Sequence, residues 1–449
     1  MGIKKVLVAN RGEIAVRIIR ACYELDMKAV AIHSEADKDA LHVQLADESY
    51  CIGKASSTES YLNIANIMSV ALNADVDAIH PGYGFLSENA QFAEICEDND
   101  VIFVGPSKRA IQHMGMKDVA RETMEKANVP IVPGSDGIVQ SNEEAMRLAH
   151  DIGFPVIIKA ASGGGGKGIR VVEKEEELTK ALNVTKQEAE KAFGNPGVYI
   201  EKFIEDFRHI EIQVLGDRYG NVIHLGERDC SIQRNMQKLV EETPSPALSE
   251  AVRAQMGEAA VRAAKAVDYI GAGTIEFIYD QTGNFYFMEM NTRIQVEHPV
   301  TEMVTGIDLV KEQLNVANGQ PLSYQQDDVV LNGWSMECRI NAEDPSNGFM
   351  PSAGKVTTYI PPGGFGVRVD SAVYQGYSIP PFYDSMVAKL ITYGETREEA
   401  RARMKRALRE FKVAGIHTTI DFHKNLLTHE KFIEGAFNTK FLELHEVKG

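Results

Sequence analysis

Hydrophobic positions repeat with two different spacings along the first third of the chain. Apolar runs at residues 4–10 and 28–34 are typical of buried strands, and residues 12–25 between them carry apolar side chains at helical spacing. Further apolar runs in this third end in glycine turns. Strands that alternate with helices predict a parallel, doubly wound sheet. Ligands of such sheets bind at the carboxyl ends of the strands, where residues 80–89 (HPGYGFLSEN) are expected.

The pattern changes twice further along. A Pro/Gly-rich stretch, VPIVPGSDG (129–137), is a candidate linker. From residue 207 the strands are predicted to be antiparallel, and beyond about residue 330 short strands with Pro/Gly turns precede a long charged helix. The other helices expected in this part cover about residues 117–127 and 142–151, a segment that ends at Phe193, and residues 249–267. The expected strands cover residues 154–160, 169–173 and 198–204, and a hairpin is expected over 274–291.

A glycine run, SGGGGKG (162–168), separates two of these predicted strands. Gly163, Gly165 and Gly168 formally match G-x-G-x-x-G, but the dinucleotide fingerprint opens a helix, whereas a strand is expected here. A strand–glycine–strand order instead predicts a flap whose backbone N–H groups approach phosphate, with Lys159 before it and Lys167 within it. The alternative is a plain glycine hairpin or linker, although four successive glycines cost conformational entropy without adding packing.

Two carboxylates are expected to face each other on the hairpin. A turn near residues 282–283 would pair Asp280 with Phe285, and Glu276 would then lie opposite Glu289 on the same face. Like charges in that arrangement destabilise a sheet. A positive group is therefore expected between them.

Polar residues continue beyond the hairpin. Asn291 extends the face that carries Glu289, and carboxylate and amide oxygens together favour Mg²⁺ or Mn²⁺ bound with water and phosphate. Arg293, Gln295 and Glu297 are expected on the following loop, where a glutamate can act as general base and an arginine can hold an anion. For any one of these residues alone, a solvated acid or a surface ion pair is the alternative.

The amino-acid composition limits the kinds of molecule that the protein is expected to bind. The formal net charge of −17 argues against a nucleic-acid or anionic-membrane surface. The five cysteines include no Cys-x-x-Cys pair, which predicts reduced thiols in a cytoplasmic protein. No apolar run approaches the roughly 20 residues that span a membrane.

Several motifs together resemble one family. The glycine run, the paired glutamates and EMNTRIQVEHPVTE (289–302) resemble the ATP-grasp superfamily and, more narrowly, the biotin carboxylase component of biotin-dependent carboxylases. ANRGEIAVRIIRA, HPGYGFLSEN, GERDCSIQR, ECRINAEDP and YDSMVAKL are similar to the same family, so the resemblance covers nearly the whole chain. It implies a mixed α/β and α+β fold, with an N-terminal doubly wound parallel-sheet domain (1–113), an ATP-grasp domain (114–330, glycine-rich lid about 131–203) and a C-terminal biotin carboxylase domain (331–447).

The resemblance also implies a reaction and its partners. ATP and bicarbonate form carboxyphosphate, and its CO₂ passes to a ring nitrogen of biotin. The implied cofactors are ATP and a pair of Mg²⁺ or Mn²⁺ ions, with biotin as carrier-bound substrate. The implied partners are a biotin carboxyl carrier protein, carboxyltransferase subunits and a second copy in a homodimer, and the implied role is the first half-reaction of acetyl-CoA carboxylase in fatty acid synthesis. The chain lacks the Met-Lys-Met sequence of a carrier, so the carrier is expected to be a separate protein.

Site residues follow from the resemblance, position by position. The implied ATP contacts are Lys117, Lys159, Gly163, Gly164, Gly165, Gly166, Glu201, Lys202, Ile204, His209, Gln233, Glu276 and Glu289. The implied metal ligands are Glu276, Glu289 and Asn291, and the implied bicarbonate pocket is Lys238, Arg293, Gln295 and the backbone of Val296. Glu297 is the implied base, Arg339 the group that stabilises the biotin enolate, and Tyr83 a further biotin contact.

One segment departs from the family. The family usually reads Gln-Arg-Arg-His/Asn-Gln-Lys where this chain has QRNMQK (233–238), so Asn235 and Met236 put the nucleotide contacts there in doubt. Two other functions stay open at this point. One is an ATP-grasp ligase that joins a carboxylate to an amine, and the other is a dinucleotide oxidoreductase or regulatory module, although NRGE replaces the fingerprint after the first strand.

Overall fold

The computed structural model describes residues 2–160, 168–193 and 195–448. The chain divides into two compact units. The first comprises Met1–Asn128, Arg208–Phe277 and Glu289–Gly449, and the second comprises Val129–Phe207 and Ile278–Met288. The domain boundaries expected from the sequence stay predictions. No helix in the described ranges combines the length and apolar character that a membrane crossing needs.

The helices are named in chain order. They are α1 Gly12–Glu24, α2 Leu41–Leu45, α3 Ile64–Asn73, α4 Ala90–Asp98, α5 Lys108–Gly115, α6 Lys117–Lys126, α7 Asn142–Ile152, α8 Glu175–Phe193, α9 Glu250–Ala266, α10 His298–Thr305, α11 Leu309–Ala317, α12 Arg397–Glu410, α13 Ile420–Leu426, α14 Glu430–Ile433 and α15 Phe441–Leu444. Short 3₁₀ turns lie at Glu35–Asp37, Ser57–Glu59, Gln326–Asp328 and Pro345–Asn347.

The strands are named in the same way. They are β1 Lys5–Val8, β2 Lys28–His33, β3 Glu48–Cys51, β4 Ala78–His80, β5 Ile102–Phe103, β6 Val156–Ala160, β7 Ile169–Val172, β8 Val198–Lys202, β9 Phe207–Gly216, β10 Val222–Arg234, β11 Gln237–Thr243, β12 Gly271–Asp280, β13 Phe285–Asn291, β14 Trp334–Asn341, β15 Glu343–Asp344, β16 Met350–Pro351, β17 Gly354–Lys355, β18 Thr358–Ile360, β19 Val367–Ser371, β20 Ser378–Ile379, β21 Met386–Gly394 and β22 Lys412–Ala414.

The N-terminal strands form a five-stranded parallel sheet. Its order is β3-β2-β1-β4-β5, and every neighbouring pair is parallel. The order changes direction at β1, so the doubly wound sheet predicted from the sequence is confirmed. Three residues of β1 are fully buried, and α1 buries an apolar face that includes Ile14, Ile18 and Ile19. The loop HPGYGFLSEN begins at the carboxyl end of β4, as expected.

A second, eight-stranded sheet carries the polar residues of interest. Its order is β13-β12-β9-β10-β11-β14-β21-β19. Polar and apolar residues alternate along β9 although both are buried, since Glu211 and Gln213 are as buried as Ile210 and Ile212. One face of this sheet is therefore lined with buried polar side chains, and we call it the polar face.

The turn between β10 and β11 explains the departure at residues 235–236. Arg234 pairs with Gln237, so Asn235 and Met236 form a two-residue turn, and both have positive φ angles of 49° and 64°. Those angles define a type I′ turn, in which asparagine is favoured because it tolerates the left-handed region. Asn235 therefore fits its position by backbone conformation.

Met236→Gly is expected to raise the free energy of unfolding by about 0.5–1 kcal/mol, because glycine has no Cβ to strain at positive φ. The methionine side chain is 89% exposed, so its loss removes little packing. Urea unfolding can be followed by fluorescence of the single tryptophan, Trp334, which lies on β14 of the same sheet. Met236→Ala removes the same side chain but keeps the Cβ, so an equal gain for Met236→Ala would contradict backbone strain as the cause.

The second unit contains a three-stranded sheet with the order β7-β6-β8. β6 and β7 are antiparallel, and the N–H of Ala160 donates to the carbonyl of Gly168 at 2.8 Å. A strand thus follows the glycine run, which confirms that the run does not open a helix. The flap residues Gly163, Gly164, Gly165, Gly166 and Lys167 lie outside the described residues.

The turn of the β12–β13 hairpin corrects one expectation. The N–H of Asp280 donates to the carbonyl of Asn284 at 2.9 Å, so Asp280 pairs with Asn284 and not with Phe285. Gly283 has a φ of 87°, and its N–H also bonds the Asp280 carbonyl. The loop therefore has three residues, 281–283, and ends in a glycine in the left-handed region. The partner of Asp280 is one residue nearer to the turn than predicted.

Candidate active site

Lys238 lies at the centre of the polar face. Its ammonium donates to Glu211, to Glu276 Oε1 at 3.0 Å and to Glu297 Oε1 at 2.6 Å. Burial opposes the charged form, but the three carboxylates outweigh it and hold the pKa of Lys238 well above its usual value. A positive group does lie beside the predicted carboxylate pair, as electrostatics required.

The carboxylate of Glu276 accepts hydrogen bonds from several donors. Its Oε1 accepts from Asn291 Nδ2 at 2.9 Å and from Gln295 Nε2 at 2.7 Å, and its Oε2 lies 2.8 Å from His209 Nε2. Burial opposes ionisation, yet Lys238 and His209 hold the pKa of Glu276 below its usual range. Burial and the charge of Glu276 both raise the pKa of Glu289.

These side chains fit a divalent cation. Glu276, Glu289 and Asn291 supply carboxylate and amide oxygens, the donors that Mg²⁺ and Mn²⁺ prefer. One ligand atom from each of His209, Glu211 and Glu276 also lies within 4.8 Å of the others. The residues present therefore match the metal expected from the sequence.

Glu297 lies between two cations. It is the N-cap residue of α10, and its Oε2 accepts from Arg339 Nη2 at 2.9 Å while Lys238 bonds its other oxygen. Burial would raise the pKa of Glu297, but Lys238, Arg339 and Arg228 hold it well below its usual value. The carboxylate is thus ionised and able to accept a proton.

Arg293 is oriented by three acceptors. Its Nε donates to Glu88 Oε2 at 2.9 Å, its Nη2 to Asn291 Oδ1 at 3.0 Å and its Nη1 to the carbonyl of Ile294 at 3.2 Å. Glu88 also accepts from the N–H of Thr292 at 3.0 Å. Glu88 belongs to HPGYGFLSEN, so the loop after β4 holds the segment that carries Arg293.

Arg228 holds several residues of the site in place through hydrogen bonds. It is fully buried, and all five of its N–H groups are bonded. The acceptors are Glu211, Gln213 Oε1 at 2.7 Å, Gln295 Oε1 at 2.9 Å, Thr301 Oγ1 at 3.0 Å and Thr274 Oγ1 at 3.2 Å. Because Gln295 bonds Arg228 through its oxygen and Glu276 through its nitrogen, the orientation of its amide is set.

A second chain of contacts reaches Val296 and Tyr83. Lys389, which is fully buried, donates to the carbonyl of Val296 at 3.0 Å and lies 3.1 Å from Glu13. The hydroxyl of Tyr83 donates to Glu13. Tyr83 therefore contacts the same network as the loop that carries Glu297.

The residues expected to bind nucleotide are distributed over both units. In the first unit, Lys117 is the first residue of α6 and Gln233 lies near the end of β10, paired with Lys238. In the second unit, Lys159 on β6 bonds Glu201 on β8, and the ammonium of Lys202 donates to the carbonyls of Gly153 and Phe154. Ile204 follows β8. Their roles in binding ATP stay predictions.

Several residues of the network were not identified from the sequence. They are Glu13, Glu88, Glu211, Gln213, Arg228, Glu241, Glu337 and Lys389. Four of them, Glu211, Gln213, Glu337 and Lys389, lie on strands between apolar neighbours, as in HIEIQV (209–214). A charged residue at every second position of an otherwise apolar strand is the signal that could have found them.

Three protein-family models match successive segments of the chain. Residues 2–111 match the biotin carboxylase N-terminal domain, residues 116–325 the ATP-binding domain of the carbamoyl-phosphate synthase L chain, and residues 337–444 the biotin carboxylase C-terminal domain. The chain is also 69% identical to biotin carboxylase 1 of Bacillus subtilis over 448 residues, which covers 100% of both proteins. The chain belongs to the biotin carboxylase family. The resemblance stated from the motifs and the fold class are thereby confirmed.

Solved biotin carboxylase structures share the fold. The biotin carboxylase of Campylobacter jejuni, described as a β,γ-ATP complex, is 53% identical with a TM-score of 0.91, and the match covers 99% of each chain. The biotin carboxylase domain of 2-oxoglutarate carboxylase from Hydrogenobacter thermophilus is 53% identical with a TM-score of 0.90 and covers 99% of this chain and 98% of that one. That structure is described as a dimer in complex with MgADP, ADP and bicarbonate. As a biotin carboxylase, this chain is an ATP-grasp enzyme, and the oxidoreductase alternative is excluded.

Proposed function

We propose that the chain carboxylates biotin with ATP and bicarbonate through carboxyphosphate, and we assign a role to each residue of the site. The observation that supports this most directly is the position of Glu297, an ionised, buried carboxylate between Lys238 and Arg339. Such an arrangement suits a base that acts beside an anion, because the two cations can also attract the substrate. The bicarbonate and MgADP described for the Hydrogenobacter relative support the same ligands for this chain.

In the first step, Glu297 removes the proton of bicarbonate. Lys238, Arg293, Gln295 and the backbone of Val296 hold the anion, and deprotonation makes its oxygen a competent nucleophile for the γ-phosphorus of ATP. The P–O bond to ADP breaks as the new P–O bond forms, which yields carboxyphosphate and ADP. Lys238 offsets the negative charge that gathers at this point.

The nucleotide and metal sites are proposed from the matching motifs. Glu276, Glu289 and Asn291 would hold Mg²⁺ or Mn²⁺, which neutralises phosphate charge when bound. The residues proposed to contact ATP are Lys117, Lys159, Gly163, Gly164, Gly165, Gly166, Glu201, Lys202, Ile204, His209 and Gln233. Carboxyphosphate is labile in water, and exclusion of water by the glycine-rich segment fits that requirement.

In the second step, carboxyphosphate breaks into CO₂ and phosphate, the phosphate takes the ureido N–H proton of biotin, and the ureido nitrogen forms its new bond to the carbon of CO₂. Loss of the ureido proton places negative charge on the ureido oxygen, and Arg339 donates hydrogen bonds to that oxygen. Arg339 is 14% exposed, so its guanidinium is largely shielded from water but open to a substrate. Tyr83 is proposed as a further biotin contact.

The carboxylation of biotin is proposed to be the first half-reaction of acetyl-CoA carboxylase in fatty acid synthesis, so that acetyl-CoA receives the carboxyl group in the following half-reaction. The biotin would be borne by a separate carrier protein, and a separate carboxyltransferase would choose the acceptor. The Hydrogenobacter relative belongs to a 2-oxoglutarate carboxylase, so the acceptor is a property of the partner subunits. A homodimer is proposed in line with the dimer described for that relative, and the five free thiols support a reducing compartment such as the cytoplasm.

Release of ADP from Mg-ATP tests the function. We expect release to require bicarbonate and to increase several-fold when free biotin is added, because biotin consumes the carboxyphosphate. Omission of bicarbonate is the matched control for ATPase activity that is not coupled to carboxylation. ADP release that is indifferent to both bicarbonate and biotin would contradict the proposal.

A further inference from the structure

Two buried carboxyl groups face each other behind Arg339. Glu241 on β11 and Glu337 on β14 are directly paired across antiparallel strands, and neither has exposed surface. Side chains paired in this way lie on the same face with Cβ atoms about 5 Å apart. Two ionised carboxylates at this separation and in this environment would repel each other strongly.

The hydrogen bonds of the pair are incomplete. Glu241 Oε1 accepts from Arg339 Nε at 2.6 Å, but Glu241 Oε2 and both oxygens of Glu337 are buried without a hydrogen-bond partner among the described residues. A buried acceptor left in this state costs about 1–3 kcal/mol, and more if it is charged. One proton on Glu337, donated to Glu241 Oε2, would satisfy an oxygen on each side and remove one negative charge.

The surrounding charges favour this assignment. The charged groups that face the pair are Lys238 on β11, Arg339 on β14, Lys389 on β21 and Glu297 at the start of α10, while the thiol of Cys338 lies on the other face of the sheet. Burial raises the pKa of Glu337 well above its usual value, against the effect of Lys389, and burial raises the pKa of Glu241 to about 7 despite its bond to Arg339. Glu241 has the closer cation, so Glu337 holds the proton.

We propose that Glu337 is protonated at neutral pH and donates a hydrogen bond to Glu241, and that this pair positions the Arg339 guanidinium for the biotin step. Arg339 is bonded by Glu241 on one side and by Glu297 on the other. When Glu297 accepts the bicarbonate proton, its charge is lost and only the Glu241 carboxylate still orients Arg339. Glu337 fixes the free oxygen of that carboxylate. The functional part of the inference rests on the role proposed for Arg339.

The protonation state can be tested without any assay of activity. The infrared spectrum of the protein at neutral pH is expected to contain the carbonyl band of a protonated, buried carboxylic acid, and the difference spectrum between the wild type and Glu337→Gln should contain the contribution of Glu337 to this band. A difference spectrum without such a band would mean that Glu337 is ionised and would overturn the proposal. This outcome does not depend on the proposed function, so the two can fail separately.

The positioning role has its own measurement. Glu337→Leu removes the donor to Glu241, and we expect the increment in ADP release that biotin causes to fall about 10-fold, while bicarbonate-dependent release without biotin changes less than 2-fold. Glu337→Gln keeps an N–H donor in the same place, and it should recover most of the loss. The wild-type rate is expected to decline at alkaline pH as Glu337 loses its proton, and because glutamine cannot ionise, Glu337→Gln should lack this decline. The positioning role would be refuted if Glu337→Leu lost ADP release equally with and without biotin, or if Glu337→Gln kept the alkaline decline of the wild type. If Glu337→Leu does not fold, the pH profile of Glu337→Gln decides.

Discussion

Glu297→Gln is expected to lower bicarbonate-dependent ADP release by at least about 100-fold, within the range that general-base catalysis contributes. Glutamine has the same shape but cannot accept the proton of bicarbonate, so the nucleophile is not formed. The fold should persist, because Lys238 keeps Glu211 and Glu276 as partners and Arg339 keeps Glu241. Steady-state ADP release with and without biotin measures the effect.

Two controls separate this loss from a general effect of charge. Glu122→Gln removes an exposed carboxylate from α6 that forms an ion pair with Lys126 one turn further along, and it should leave ADP release unchanged. The unfolding midpoint of Glu297→Gln, followed by Trp334 fluorescence, reports whether the variant is folded. A folded Glu297→Gln protein with more than a tenth of the wild-type rate would show that another group is the base.

Arg228→Met is expected to have the largest effect on stability, a loss of about 3–5 kcal/mol in the free energy of unfolding. The substitution leaves Glu211 buried with one cation fewer, and it removes the hydrogen bonds that the side chains of Gln213, Gln295, Thr274 and Thr301 accept. Methionine fills a similar volume, so the loss reports on polar contacts more than on a cavity. Urea unfolding measured through Trp334 on β14 reports the change in the same sheet.

The double variant Arg228→Met/Glu211→Gln tests the cause. Neutralising Glu211 removes the charge that Arg228→Met leaves uncompensated, so the double variant should lose less stability than the sum of the two single variants. Arg109→Met is the matched control, since Arg109 is 74% exposed, and it should change stability by less than about 0.5 kcal/mol. Strict additivity of Arg228→Met and Glu211→Gln would contradict an ion pair as the source of the stability.

Local sequence patterns predicted the helices and strands well, because the formation of these elements depends on residues that are close together in the chain. The periodicity of residues 4–34 predicted β1, α1 and β2, and the apolar run after the glycines predicted β7. The expectation that Glu276 lies opposite Glu289 came from a hairpin whose strands are adjacent in sequence, and it stays a prediction. The error at this hairpin, the pairing of Asp280 with Asn284, arose because a left-handed Gly283 adds a residue to the loop, and the turn type was not identified.

The sequence by itself determined which strands and helices form, the family, and the short-range groups of residues that include Glu276, Asn291 and Glu297. Only the tertiary structure decided that β11 lies beside β14 and β14 beside β21, which brings Glu241, Glu337 and Lys389 to one face although they are far apart in the chain. A register shift that leaves Leu239 unpaired also places Lys238 on the same face as Glu241. Periodicity shows that a strand has a polar face, but the choice of neighbouring strand depends on burial and hydrogen bonding summed over the whole sheet, which no local pattern contains.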